Sequence, residues 1–262
     1  MTAPVRELIL GGEGLIGSTL AAWLRGRGHE VASLDLKTGC DLRRDDISAP
    51  VAAADRVWFL AWDTGGAKYI EAADSQHAQY LNNTQITMRV LDTLARAGKP
   101  FVFTSTQLTV VPNAYGVTKL LAEKWSQQLG GKIARLWNTY GWEEPDVKSH
   151  VVTDLVLSGL MRGRVECRTD GSERRRFIYK SDCAAAITSL AESDLQLAHI
   201  AGAEWVSIRQ VAEEIARQLG VEVKLGELPG TEYITDPEHA LPGWRPEVSL
   251  ADGVARVIAD AR

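Results

Sequence analysis

A short apolar run at residues 5–10 ends in Gly11-Gly12-Glu13-Gly14-Leu15-Ile16-Gly17, and a helical pattern follows to about residue 28. No other stretch limits the fold as strongly. Glycines between a strand and a helix let the chain turn tightly and approach a ligand with its backbone, at a helix N-terminus suited to a pyrophosphate. A second strand at residues 30–36 carries Asp35, which lies 24 positions after Gly11. That is close to the spacing of about 20 at which a carboxylate meets an adenosine ribose. Strand, turn, helix and carboxylate together predict a dinucleotide site, with Gly11, Gly14, Leu15, Ile16 and Gly17 at the phosphates and Asp35 at the ribose. A carboxylate there repels a 2′-phosphate, so NAD is expected over NADP, although Lys37 is near enough to weaken the preference.

Further strands are expected at 56–61, 101–104 and 132–136, with helices at 75–98 and 115–129 between them. Strands alternating with helices imply right-handed crossovers and a parallel sheet covered on both faces, a Rossmann-type doubly wound α/β fold. The pattern changes near residue 138. A charged, Pro-containing loop at 141–148 precedes a helix at 150–162, strands near 165 and at 176–179, a helix at 182–192, a strand at 197–200 and a helix at 207–219. The tail at 228–246 holds four prolines and reads as a loop. Residues 1–138 are therefore expected to form the dinucleotide-binding region. Residues 139–262 are expected to be mainly a small substrate-binding region interleaved with that core.

Composition excludes several classes. A net charge of −5 with one short basic run, Arg174-Arg175-Arg176, argues against nucleic acid. No apolar run reaches membrane-spanning length, and the N-terminus lacks the shape of a signal peptide. Three scattered cysteines read as reduced thiols of a cytoplasmic protein, and five histidines without ligand spacing predict no metal.

Tyr115-Gly-Val-Thr-Lys119 carries the chemistry. Residues four apart share a helix face, so the lysine is expected to stabilise the phenolate and lower the tyrosine pKa from about 10. Such a tyrosine can exchange a proton with a hydroxyl while a nicotinamide handles the hydride.

The Gly-x-x-Gly-x-x-Gly spacing together with one Tyr-x-x-x-Lys resembles the extended short-chain dehydrogenase/reductase family, the NAD-dependent epimerases and dehydratases. Cys40-Asp41-Leu42 resembles that family's Asp-hydrophobic pair beside adenine. Phe59-Leu60-Ala61 resembles its strand ending in His-Leu-Ala, with Phe in place of His. Asn83 to Thr87 resembles an Asn-x-x-x-Thr helix start whose Asn supports the active site. Thr104-Ser105-Thr106 resembles its Ser-Ser-Ser, whose third member hydrogen-bonds the reacting hydroxyl. The resemblance thus implies a catalytic set of Thr106, Tyr115 and Lys119. It places Asp41, Leu42, Leu60, Ala61 and Asn83, with Tyr115 and Lys119, around the cofactor.

On the substrate side, Arg135-x-x-Asn138-x-Tyr140-Gly141 and Gly171-Ser-x-x-Arg175-x-Phe177-x-Tyr179 resemble the segments that hold a nucleotide-sugar diphosphate. Trp62 to Ala67, with Asn82 to Thr84, resembles the sugar-side loop of the family's GDP-sugar enzymes. The resemblance makes Gly65, Gly66, Thr106, Asn138, Val151 and Arg175 substrate residues and His150 a secondary acid or base. Eight residues separate Thr106 from Tyr115, a shorter active-site loop than usual. Gln107-Leu108 stands where 4,6-dehydratases carry Asp-Glu, and no cysteine lies nearby. Elimination and carbanion chemistry are disfavoured on that basis.

The expected activity is an NAD-dependent nucleotide-sugar 4-epimerase. The alternatives are an NAD(P)-dependent dehydrogenase or reductase of a nucleotide sugar or small carbonyl compound, and a non-catalytic dinucleotide-binding regulator. The resemblance also implies a homodimer through a four-helix bundle formed by the helices at 75–98 and 115–129, with Leu81, Ile86, Leu120, Leu121 and Trp125 as compatible apolar residues.

Overall fold

In the computed structural model, which describes residues 4–231, 237 and 239–262, the first half is a run of strand–helix units. The order is β1 (Arg6–Leu10), α1 (Leu15–Gly26), β2 (Glu30–Leu34), α2 (Ser48–Ala53), β3 (Arg56–Phe59), α3 (Ala67–Ile70), α4 (Gln76–Ala97), β4 (Phe101–Thr106), α5 (Ala114–Gln128) and β5 (Lys132–Leu136). The second half holds β6 (Asn138–Tyr140), α6 (Val151–Arg162), β7 (Arg164–Glu166), β8 (Arg174–Arg175), β9 (Phe177–Tyr179) and α7 (Lys180–Glu192). It ends with β10 (Leu197–Ile200), β11 (Val206–Ser207), α8 (Ile208–Leu219), β12 (Glu222–Lys224) and α9 (Leu250–Asp260).

Six strands form one parallel sheet in the order β10-β5-β4-β3-β1-β2. Helices cover both faces, so the inner strands read as nearly continuous apolar runs; all six residues of β4 are buried. One face packs Leu20, Ala21 and Leu24 of α1 against Ala184, Ile187 and Leu190 of α7 over Ile9, Trp58 and Val102. The other packs α2, α4 and α5 over Leu8, Leu10, Phe59 and Phe103. A third cluster, built from α6, α8, α9, β7 and β9, gives the second half its own core. The chain leaves β1 for β2 on one side and returns to β3 on the other. This is the switch point at which open α/β sheets present a ligand crevice beyond their strand ends.

Several boundaries differ from the sequence expectation. β3 stops at Phe59 rather than Ala61, because the N–H groups of Leu60 and Ala61 both turn to the Leu10 carbonyl, at 2.9 and 2.7 Å. β2 stops at Leu34, and Asp35 caps a short 3-10 turn by accepting from the Lys37 N–H. β4 runs on to Thr106, paired with Leu136. The tail expected as loop falls partly outside the described residues, at 232–236 and 238. α9 was not expected at all, although Ser249 caps it and Val254, Val257 and Ile258 follow helical spacing into the third core cluster.

Candidate active site

A continuous cleft of about 1420 Å³ runs along the carboxyl ends of β1, β3, β4 and β5 and continues into the second half. Its floor begins at the glycine turn. Gly11 has φ +92°, and a Cβ there would lie 2.6 Å from the Ala61 nitrogen; a Cβ on Gly17 would lie 2.0 Å from the Gly11 carbonyl oxygen. Neither position tolerates a side chain, because two backbones meet there. Gly14 is the N-cap of α1 and offers no side-chain cap, so the first N–H groups of that helix face the cleft bare. Leu15 and Ile16 line the same wall.

Asp35 accepts the Glu13 N–H at 3.0 Å and the Lys37 N–H at 2.9 Å, which fixes its carboxylate at the cleft edge. Asp41 and Leu42 also line the cleft. Arg43 grips Asp41 with two bonds of 2.8 and 2.9 Å and holds its carboxyl down at about 2. Leu60 and Ala61 line the floor, but Asn83 does not reach it. Asn83 is fully buried and brackets Asp63, accepting from its N–H at 2.8 Å and donating to its carbonyl at 3.1 Å. With these two bonds to the Asp63 backbone the amide shapes the loop after β3.

That loop is the one whose residues resemble a sugar-side loop; the polar cluster that Asp63 builds in it was not foreseen from the sequence. Asp63 gathers the Tyr69 hydroxyl at 2.8 Å, the Lys148 ammonium at 2.6 Å and the Asn82 amide at 2.8 Å. The Gly66 N–H donates to the Lys148 carbonyl at 2.7 Å, and Lys68 reaches Asp154 at 2.8 Å. A Cβ on Gly65 would collide with Lys148 at 2.7 Å, and one on Gly66 with the Ser149 oxygen at 2.4 Å. The two glycines therefore seat the loop against residues 148–150 while still lining the cleft. Thr64, between Asp63 and Gly65, brings its hydroxyl to the Tyr115 hydroxyl.

Tyr115 also has the Thr106 hydroxyl as a partner. Thr106 is the buried last residue of β4, and its Oγ1 accepts the Leu108 N–H at 3.2 Å. Burial raises the Tyr115 phenol, and the two threonine hydroxyls pull only partly against it. The expected lowering by Lys119 is not what the structure holds. Lys119 is buried, and its ammonium donates to the Thr104 carbonyl at 2.7 Å and sits 4.1 Å from the centre of the Trp62 ring. Burial drives its own pKa well below the ordinary lysine value. One turn further along α5, Glu123 is fully buried, receiving Ser105 Oγ at 2.7 Å and a two-pronged Arg135 at 2.9 and 2.6 Å. Glu123 thus ties the helix bearing Tyr115 and Lys119 to β4 and β5. A carboxylate four residues after Lys119 and an Arg in the next strand were the signals for it.

On the far side, Asn138 and Val151 line the cleft. Among the described residues, Asn138 Oδ1 and Trp62 Nε1 are buried without a hydrogen-bond partner. A buried acceptor and donor left open at a cleft wall suit a ligand with complementary groups. Of the arginine triplet only Arg175 lines the cleft, its guanidinium on the carbonyls of Arg174 and Thr231 at 2.8 and 3.0 Å. Arg174 and Arg176 lie on Trp205 instead. His150 caps α6, with Nδ1 3.0 Å from both Glu143 oxygens, so a carboxylate orients its ring at the cleft. Among the described residues no group of His, Cys, Asp and Glu could hold a metal, and no helix is long and apolar enough to cross a membrane.

The family model described as NAD dependent epimerase/dehydratase family matches residues 8–200. GDP-mannose 3,5-epimerase 1 of Oryza sativa subsp. indica is 25% identical over 305 aligned positions, covering 95% of this chain and 80% of its own length. UDP-glucuronic acid decarboxylase 1 of Arabidopsis thaliana is 24% identical over 309 positions, covering 98% and 70%. Among solved structures, UDP-glucuronic acid 4-epimerase from Bacillus cereus, in complex with UDP-glucuronic acid and NAD, superposes with a TM-score of 0.83 at 23% identity. That superposition covers 97% of this chain and 98% of the other.

Proposed function

The chain belongs to the NAD-dependent epimerase/dehydratase family, a family of enzymes, and within it we propose that this protein is a nucleotide-sugar 4-epimerase working through a transient 4-keto sugar. One observation carries the reading. Tyr115 is bracketed by two neutral hydroxyls, Thr106 and Thr64, and the turn after Thr106 offers Gln107 and Leu108 rather than a carboxylate. Such a site exchanges protons with a carbinol and has no second acid placed there for elimination.

The residues fit the cofactor. The side-chain-free turn at Gly11 and Gly17, the bare α1 N-terminus and the fixed Asp35 carboxylate match a pyrophosphate and an adenosine ribose. When bound, NAD supplies the hydride acceptor and donor for the sugar carbinol. Tyr115 takes the C4 hydroxyl proton and returns it. Thr106 and Thr64 orient the oxygen, and Lys119 provides the one buried ammonium of the same helix face. Asn138 and Arg175 would hold the diphosphate of the nucleotide sugar, Arg175 as a planar donor. Gly65, Gly66 and Val151 would border the sugar.

The test is incubation of purified protein with a panel of UDP- and GDP-sugars, without added cofactor or reductant. The expected result is C4 isomers together with NAD released on denaturation. Isomerisation by protein that neither contains nor needs NAD would overturn the reading. The Glu143–His150 pair favours a second one: an oriented imidazole on the substrate side is a proton donor for net reduction of a keto sugar. Stoichiometric NADH consumption would select it.

The same reading includes a cytoplasmic homodimer. Leu81, Met88, Val117 and Leu121 stand exposed on α4 and α5, which supports a helical interface between two copies. Ile86 and Trp125, by contrast, pack into the protomer's own core, and Leu120 is at the edge of exposure. Sedimentation at micromolar concentration, with Leu121→Glu as the disrupting variant, tests the assembly.

A further inference from the structure

We propose that Trp62 is a positioning residue for Lys119: its indole face, set against Phe103, holds the ammonium on the Thr104 carbonyl, on the helix that carries Tyr115. What that cation does rests on the function proposed above; how it is held rests on contacts alone. Lys119 Nζ donates to the Thr104 carbonyl at 2.7 Å, and among the described residues no second hydrogen bond serves an ammonium that can make three. Its other neighbours are aromatic faces. The nitrogen lies 4.1 Å from the centre of the Trp62 ring and 4.8 Å from that of Phe103. Those two rings stand 5.6 Å apart, tilted by 58°. Phe59 packs on both, 6.1 Å from Trp62 and 5.1 Å from Phe103. Phe59 and Phe103 are fully buried, and Trp62, half-buried, closes the cradle at the cleft wall.

A ring face attracts a cation through its quadrupole, most strongly for Trp and where water is excluded. Lys119 is buried, so the attraction is little weakened by solvent. The Trp62 indole N–H is buried and has no partner among the described residues, so packing and the ammonium, not a hydrogen bond, orient the ring. On α5 the titratable neighbours are Tyr115, between the Thr106 and Thr64 hydroxyls, and Glu123, held by Arg135 of β5 and by Ser105. Asp63, beside Trp62, is taken by Lys148, Tyr69 and Asn82. β4 presents Thr104, Ser105 and Thr106, and the buried positions of α4 carry no charge. Burial alone accordingly lowers the Lys119 pKa. The rings oppose that displacement, because they favour only the protonated form. The stability they add is present below the folded-state pKa of Lys119 and is lost as pH rises through it.

The test is a double-mutant cycle of Trp62→Leu and Lys119→Met in the full-length protein, read by urea unfolding at a series of pH values up to 10.5, the ordinary value for lysine. At the acid end the two positions should be coupled by roughly tenfold in the unfolding equilibrium constant, and the coupling should fade as Lys119 loses its proton. Trp62→Phe keeps an aromatic face and serves as the second variant if Trp62→Leu does not refold; it should retain part of the coupling, with the same pH dependence. In isomerisation assays, Trp62→Leu should move the alkaline limb of the rate profile down by about one pH unit, with Trp62→Phe between it and wild type. Absence of coupling, or coupling equal at every pH, would reduce the contact to packing and overturn the proposal. So would an alkaline limb that stays in place in both variants. Coupling in a protein that isomerises no nucleotide sugar would overturn the function proposed above and leave the hold on Lys119 standing.

Discussion

Two consecutive turns of α5 bury opposite charges and treat them in opposite ways. Glu123 is enclosed with an arginine fork and a serine hydroxyl. Burial resists its ionisation, yet Arg135 and Ser105 prevail and hold its pKa below the ordinary glutamate value. Lys119, one turn earlier, is enclosed with a carbonyl and aromatic rings and meets no carboxylate among the described residues. Burial alone displaces its pKa, downward. A satisfied buried charge locks structure; one left at a cost is the mark of a working site.

The comparison breaks if the two turns respond alike to substitution. The largest effect is expected at the chemistry above Lys119. Tyr115→Phe should lower isomerisation roughly 10²–10⁴-fold, the usual range for loss of a positioned proton-transfer group, with the melting temperature nearly unchanged. At the other turn, Glu123→Gln should leave Arg135 without its counter-charge and cost about 3 kcal/mol in urea unfolding, within the range for breaking a buried pair. Double-mutant cycles with Arg135 would sharpen the assignment.

Lys119→Met should do the reverse of Glu123→Gln. Stability near neutral pH should match or exceed wild type, while turnover falls. The pH dependence follows from the depressed pKa. Between the folded-state pKa and the ordinary 10.5, the unfolded chain holds a proton on this lysine that the folded chain lacks, so folding is penalised. The penalty shrinks as pH rises toward 10.5, and below the folded pKa it is present in full. Wild-type stability measured against Lys119→Met should therefore rise with pH across that window, and a flat difference would remove the lysine from the list of strained groups. The smallest effect is expected at the loop over the cleft. Asp63→Asn keeps shape but loses the partly exposed Lys148 pair, at a cost of about 1 kcal/mol by chemical denaturation.

Much of the cofactor half was legible from residue order, because it is made of backbone. Gly17 is required by its contact with Gly11 in the same turn, Gly11 adopts a positive φ that favours glycine, and Asp35 follows the next strand by the shortest route. Tyr115 and Lys119 were legible for the same reason, being neighbours on one helix. The site between the halves was not. Asp63 meets Lys148 across 85 positions, and Glu123 meets Arg135 only because two elements pack side by side. Asn83 was assigned to the cofactor by pattern, yet its amide closes on Asp63. α9 was missed although its spacing was present, because its apolar stripe acquires meaning only with the α6–α8 face it covers.

What the sequence determined by itself is therefore local: the parallel α/β architecture, the turn that admits a dinucleotide, and the presence of a tyrosine and a lysine on one face. Tertiary structure decided their state. Whether Lys119 is charged, which hydroxyls attend Tyr115, and which glycines seat a loop against a distant segment depend on desolvation and on partners brought from distant positions. Those quantities belong to an enclosed environment, and an enclosed environment exists only after the chain has packed.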